Sequence, residues 1–280
     1  MRFVIICAAR TGSSHFVSAL GGHPDVFVNG NIFDAARRKR LYVFWPKEDV
    51  TPAIRNELIR LRTNNPEAFL ERMYTTNYDR THVGFKIFEG ENDTILDKII
   101  MDKSIRKVVL YRRNILATFS SALIARETGQ YGLRDETARA ETQPVKFVAE
   151  KFVKFHDKYT SFIASVTDRL KDSDQHYQLV NYEDVNEPHV LSNTIAFIGG
   201  NSSKHFSRDL QYKTQVKQNS FDIISRFANP RAVEKFLRNH NLLHWQHEGE
   251  LELGRKFSRN RQNDGASPAV DDPQPKPQVD

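Results

Sequence analysis

A single cysteine, Cys7, stands in the 280 residues, which excludes an intramolecular disulfide framework and a zinc site built on thiolates. Long hydrophobic runs are missing as well. No stretch approaches the roughly 18–20 apolar residues that cross a bilayer. The first apolar stretch, Phe3–Ala9, follows a lone Arg2 and has neither the length nor the flanks of a secretory leader. These absences lead to an expectation of a soluble, cytoplasmic protein without a membrane span. Charge of one sign is scarce too: 41 Lys and Arg face 35 Asp and Glu, a net +6. Such a mild excess favours an acidic partner without naming it. What is present is a core: 39% hydrophobic against 27% charged residues excludes wholesale disorder.

Phe3-Val4-Ile5-Ile6-Cys7-Ala8-Ala9 reads as a buried strand, short, continuous and β-branched at its centre. It breaks at Arg10-Thr11-Gly12-Ser13-Ser14. Apolar residues then recur at helical spacing (Phe16, Val17, Ala19, Leu20) until Gly21-Gly22. Further strands are expected over Val83–Phe88, Lys107–Tyr111 and Tyr177–Tyr182, and helices over Pro66–Tyr74, Leu116–Arg126, Val145–Leu170, Pro188–Ile198 and Pro230–Asn239. Alternating strands and helices predict an α/β fold: a mainly parallel central sheet flanked by helices, with ligands beyond the carboxyl ends of the strands. One domain is expected over residues 1–255. From 256 to 280 the chain turns polar and Pro-rich, ending near Asp272-Pro273-Gln274-Pro275, and reads as a disordered tail.

Two constellations carry chemistry. Arg10 to Ser14, between strand and helix, offers backbone N–H groups, hydroxyls and a guanidinium to an anion. It is no Walker A loop, since no lysine precedes the serines; an ordinary Ser-capped turn is the bland alternative. Tyr111-Arg112-Arg113-Asn114 follows the third strand, with Ser120-Ser121 on the helix behind it. Arg113 and Ser121 can converge on one phosphate; a surface ion pair with a nearby carboxylate is the alternative.

Together these motifs resemble the PAPS-dependent sulfotransferases, most closely bacterial carbohydrate sulfotransferases of the trehalose-sulfating and nodulation-factor-sulfating type. The family loop R-[ST]-G-[ST]-[ST] is matched by Arg10 to Ser14. The second motif, R-R-[DN] running through a serine to A-x-x-T-G-x-[WY], is matched by Arg112-Arg113-Asn114, Ser121 and Ala125 to Tyr131. His23-Pro24, Gly84-Phe85-Lys86, Tyr182-Glu183-Asp184 and Lys213-Thr214-Gln215 are further similar pieces, in the expected order over about residues 1–245. The resemblance implies a P-loop-like sulfotransferase fold and transfer of a sulfuryl group from 3′-phosphoadenosine 5′-phosphosulfate (PAPS) to a hydroxyl of a carbohydrate or glycolipid. It implies that Arg10, Thr11, Gly12, Ser13 and Ser14 hold the 5′-phosphosulfate, and that Arg113 and Ser121 hold the 3′-phosphate. Lys213 and Gln215 are expected to close over the nucleotide. No nucleic acid and no metal are expected, and a homodimer stays open.

One position departs from the family. Its catalytic glutamate falls, in this chain, at Asn31 within Val28-Asn29-Gly30-Asn31-Ile32-Phe33, and an amide takes no proton from a hydroxyl at neutral pH. Glu89, just after the Gly-Phe-Lys-Ile-Phe strand, ranks first as a replacement base, ahead of Glu91, Asp34 and His15. Phe33, Tyr42, Phe44 and Trp45 offer aromatic faces to an acceptor, with a core role as the alternative. Arg37-Arg38-Lys39-Arg40 is a solvated basic face or a docking strip. His240, His244 and His247 would share a face of a continuous helix. Asn92-Asp93-Thr94 and Asn201-Ser202-Ser203 match the glycosylation sequon and read as loop polar residues. A nucleotide-dependent kinase and a non-catalytic binder of PAP(S) or anionic polymers remain as alternatives.

Overall fold

The computed structural model describes residues 1–34, 41, 43, 45–133, 135–204 and 216–248. The basic run at 37–40, Tyr42, Phe44, Lys213, Gln215 and the tail from 256 lie outside the described residues.

Five strands form one parallel sheet: β1 (Arg2–Cys7), β2 (Val26–Asn31), β3 (His82–Phe88), β4 (Ile105–Tyr111) and β5 (Tyr177–Asn181), ordered β2-β3-β1-β4-β5. Register aligns the strand ends: Cys7 pairs with Phe88 on one side and Leu110 on the other, and Tyr111 pairs with Asn181. All the loops that leave those ends therefore share one edge of the sheet. This is the α/β architecture expected.

Successive side chains of a strand point to opposite faces, and β1 is apolar on both. Phe3, Ile5 and Cys7 pack under α1 (Ser13–Gly21) and α7 (Pro188–Phe197), against Phe16, Leu20 and Ile195. Val4 and Ile6 pack on the other face with Phe69 and Met73 of α3 (Pro66–Thr75), Ile95 and Ile99 of α4 (Asp93–Met101), and Phe152 and Tyr159 of α6 (Ala149–Asp172). A side chain at Gly84 in β3 would run into the ring of Phe3.

Three elements were not foreseen. β2 carries Asn29, Gly30 and Asn31, poor strand formers, yet it is buried along Val26–Gly30. α2 (Pro52–Asn64) buries only Leu58 and Arg62, too few for a readable stripe. α4 was masked by its sequon: Asn92 is its N-cap, accepting from Ile95 N at 3.0 Å. α5 (Ile115–Thr128) and α8 (Pro230–Asn239) lie where the pattern put them. Among the described residues no helix is long and apolar enough to cross a membrane.

Candidate active site

The turn after β1 is shaped by two left-handed residues, Arg10 (φ 66°) and Gly12 (φ 87°). Gly12 is the N-cap of α1 and supplies no side-chain cap to its first-turn amides. Uncapped N–H groups at a helix start favour an anion. Thr11 is fully buried and its hydroxyl donates to Ala8 O, which closes the turn. Ser13 and Ser14 meet a lysine from the neighbouring strand: Lys86 Nζ donates to Ser14 Oγ at 2.8 Å and to Ser13 Oγ at 3.3 Å. Lys86 is 5% exposed, so its charge sits in a poorly solvated position beside the loop. The sequence placed Lys86 in a motif without a role. The available signal was a lysine inside an otherwise apolar strand, which must find polar company. Cys7, next to this group, is buried and its thiol is pushed up to about 12 by burial, so it offers no thiolate.

Arg10 reaches sideways. Its Nε donates to Ser121 Oγ of α5 at 3.0 Å, one amino group donates to Gln218 Oε1 at 2.7 Å, and the other to Tyr131 O. Burial, then the charge of Arg112, lowers its pKa to about 10, which leaves it a cation at neutral pH. A small cleft continues from there, lined by Arg10, Ser121, Thr128, Gln130, Arg139 and Gln218. The structure thus ties Ser121 to the arginine of the first loop.

The Arg112-Arg113-Asn114 motif splits three ways. Arg112 turns inward: its Nη2 lies 2.7 Å from Glu248 Oε2, its guanidinium stacks 4.7 Å from the ring centre of Tyr182, and its Nε is buried without a hydrogen-bond partner. Glu248 also meets Arg226 at 2.6 Å and Lys217 at 2.8 Å. Burial pushes this carboxyl up, but the three cations win and hold it at about 2. Arg113 turns outward, 57% exposed, towards Asp184 at 3.4 Å and Glu183 at 4.0 Å, so here it makes the surface ion pair of the alternative reading. Asn114 caps α5, accepting from Ala117 N at 3.1 Å. Glu183 locks the turn by accepting from the backbone N–H groups of Arg113 (3.1 Å) and Asn114 (3.0 Å). Tyr182, one residue earlier, covers Gly12 so closely that a Cβ there would enter its ring.

The carboxylate ranked first as base goes elsewhere. Glu89 is paired with Lys158 of α6 at 3.5 Å. Glu91, two residues on, turns back to the sheet edge: Oε1 accepts from Asn31 Nδ2 and Oε2 from Phe88 N, each at 3.0 Å. Burial raises its pKa above the ordinary carboxylate value, against the pull of those two hydrogen bonds. His15 Nε2 is engaged with Asn186 Oδ1 at 2.7 Å.

Packing decides two other readings. Phe33 and Trp45 are core: Phe33 packs edge-on to Phe69 and Phe85, and Trp45 to Tyr78. The three histidines do not share a helix face, because α8 stops at Asn239 and Asn241 is left-handed (φ 58°). His240 stacks on Phe236 instead. Among the described residues no group of three or more His, Cys, Asp or Glu is placed to hold a metal ion.

No protein-family model matches the chain. Nodulation protein H of Rhizobium tropici is 26% identical over 211 residues, covering 74% of this chain and 78% of that protein. Nodulation protein H of Rhizobium meliloti (strain 1021) is 24% identical over 187 residues, covering 65% and 69%. Among solved structures, a sulfotransferase from Alicyclobacillus acidocaldarius covers 85% of this chain and 96% of its own at 15% identity and a TM-score of 0.45. The sulfotransferase domain of the Synechococcus PCC 7002 olefin synthase covers 71% and 73% at 15% identity and a TM-score of 0.40. The two nodulation proteins agree with the nodulation-type resemblance of the motifs.

Proposed function

We propose that this chain is a PAPS-dependent sulfotransferase whose acceptor is a hydroxyl of a carbohydrate or glycolipid. The observation that carries the reading is the junction of the Arg10–Ser14 loop with Lys86 on one side and Ser121 on the other. It gathers two cations, three hydroxyls and uncapped helix amides at the end of β1, where the two stretches that match the family's phosphate motifs meet.

In sulfuryl transfer the acceptor oxygen attacks sulfur while the bond from sulfur to the bridging oxygen breaks, and PAP leaves with that electron pair. By analogy with phosphoryl transfer, the protein contributes position and charge. Lys86, Arg10, Ser13 and Ser14 are the donors available to the charge that grows on the bridging oxygen. Removing one such preorganised donor typically costs about 3–4 kcal/mol of transition-state stabilisation. Ser121 and Arg113 serve the 3′-phosphate; Arg113 must leave Asp184 to reach it, which its exposure permits.

The test is calorimetric titration with PAP, ATP and heparin, followed by incubation with labelled PAPS and a panel of acceptors. PAP binding well above ATP binding, with label passing to a sugar hydroxyl, supports the transferase. ATP preference turns the reading to a kinase, and heparin preference to a non-catalytic polymer binder.

A further inference from the structure

The carboxylates at the carboxyl edge of the sheet differ in what holds them. Glu248 is shared by Arg112, Arg226 and Lys217, and at a pKa of about 2 it is a poor proton acceptor. Glu183 accepts from the backbone amides of Arg113 and Asn114 and is paired with the Arg112 and Arg113 guanidinium groups at 3.8 and 4.0 Å. Asp184 faces Arg113 and Asn181, and Glu89 faces Lys158. Glu91 differs from these four. Its two hydrogen bonds come from neutral donors, Asn31 Nδ2 and Phe88 N, and no cation among the described residues forms an ion pair with it. Each carboxylate oxygen has two lone pairs, so a single bond on each leaves capacity for another proton.

Its place matters as much. Asn31 ends β2 and pairs in register with Lys86 of β3, the residue whose ammonium group meets Ser13 and Ser14. Glu91 closes a tight turn after β3, through Gly90 (φ 72°). The carboxylate is therefore carried to the end of β2 by the adjacent strand, beside the anion loop. The amide of Asn31 has no basic atom to offer a hydroxyl, but its N–H fixes which way Glu91 points.

We propose that Glu91 is the general base of the transfer reaction and that Asn31 is its positioning residue, an assignment that rests on the sulfotransferase reading above. The acceptor hydroxyl gives its proton to the Glu91 carboxylate as its oxygen bonds to sulfur. The bond from sulfur to the bridging oxygen breaks, PAP departs with the electron pair, and the protonated Glu91 returns its proton to water. The groups around Glu91 tune this. Arg62 of α2 and Lys86 of β3 favour its ionised form, Asp34 beyond β2 opposes it, and the neutral Cys7 thiol of β1 lies behind. Burial leaves the carboxyl above its ordinary value, closer to a working pH, where a general base is most effective.

The experiment measures PAP affinity, kcat and its pH profile for the wild type, Glu91→Gln, Glu89→Gln and Asn31→Ala, with labelled PAPS and trehalose, chitotetraose and n-butanol as acceptors. Glu91→Gln is expected to bind PAP within about threefold of wild type and to lose about 10²–10⁴ in kcat, the usual worth of general-base help. The acid limb of the wild-type profile should vanish in that variant. In Asn31→Ala the limb should move to higher pH, because a hydrogen bond to the charged form is gone; a merely structural asparagine would not move it. Glu91→Gln retaining kcat within about threefold, or the loss falling on Glu89→Gln instead, overturns the assignment and leaves the sulfotransferase reading standing. If Glu91→Gln does not fold, the position of the limb in Asn31→Ala decides alone. A wild type that neither binds PAP nor transfers label overturns the sulfotransferase reading itself, and the base with it.

Discussion

Lys86 Nζ lies 2.8 Å from Ser14 Oγ although 72 positions separate the two residues in the chain. A Walker loop carries its phosphate lysine within the loop itself. Here the adjacent strand brings a lysine to the loop, and hydrogen bonding of β3 to β1 along the register Arg2 to Cys7 holds strand and loop in fixed relation. A cation delivered by a sheet moves less than one delivered by a loop.

Replacing Lys86 with Met tests that delivery. Charge-assisted hydrogen bonds are worth about 1.5–3 kcal/mol, so PAP affinity should fall about 10- to 150-fold by calorimetry. The melting temperature should hold or rise, since an apolar residue of similar volume avoids burying a charge. A fall in melting temperature with PAP affinity unchanged would make Lys86 a structural residue.

Arg113→Ala should weaken PAP far more than adenosine 5′-phosphate, because only PAP carries the 3′-phosphate. Stability should change by less than about 0.5 kcal/mol, as the side chain is more than half exposed and its ion pairs are long, 3.4 and 4.0 Å. Equal weakening of both nucleotides would remove Arg113 from the 3′-phosphate subsite.

Glu248→Gln removes the carboxylate that three cations share. Its folded pKa of about 2 lies below the ordinary 4.5. The stabilisation is therefore complete above the unfolded value and is lost as pH falls through about 2. At pH 7 the variant should be less stable by about 3–5 kcal/mol, the usual cost of breaking a buried pair. Urea titrations at pH 7, 4 and 2.5 should show the gap between variant and wild type closing towards acid.

Gly12→Ala meets two obstacles, a left-handed backbone and the ring of Tyr182. The backbone alone costs about 1–3 kcal/mol. Urea unfolding should show a larger loss in the single variant than in Gly12→Ala/Tyr182→Ala measured against Tyr182→Ala, because the second background removes the clash and keeps the strain. Equal losses in the two backgrounds would show that the ring yields freely.

Much of the sheet was legible because β1, β3 and β4 are short apolar runs whose ends are marked by Arg10, Glu89 and Arg112. β2 was not, since Asn29 and Asn31 disguise a strand that is buried between α1 and β3. The loop Arg10–Ser14 and Ser121 were visible as motifs, and the structure brings Arg10 and Ser121 into contact. Their true junction was not visible, because contacts between Arg10 and Ser121 or Lys86 and Ser14 depend on strand order. Glu89 outranked Glu91 on proximity to the strand end. The turn through left-handed Gly90 reverses that order in space, and a sequence pattern carries no sign of which way a turn folds back.

Strand β1 sits at the middle of the sheet, bonded on one edge to residues 83–88 and on the other to residues 105–110. It precedes both of those partners in the chain and so leaves the ribosome before either. At roughly 5–20 residues per second, synthesis needs on the order of 4–16 s to go from Cys7 to Phe88. For that interval Phe3 to Cys7 has neither partner. Long-range parallel pairing is slow to form, and such strands are exposed to aggregation before it does. The Arg10–Ser14 loop inherits this schedule, because Lys86 cannot meet Ser13 and Ser14 until β3 has docked. In the cell, yield of this protein should depend on what shelters β1 during translation, and a slow stretch of codons between β1 and β3 would lengthen the hazard.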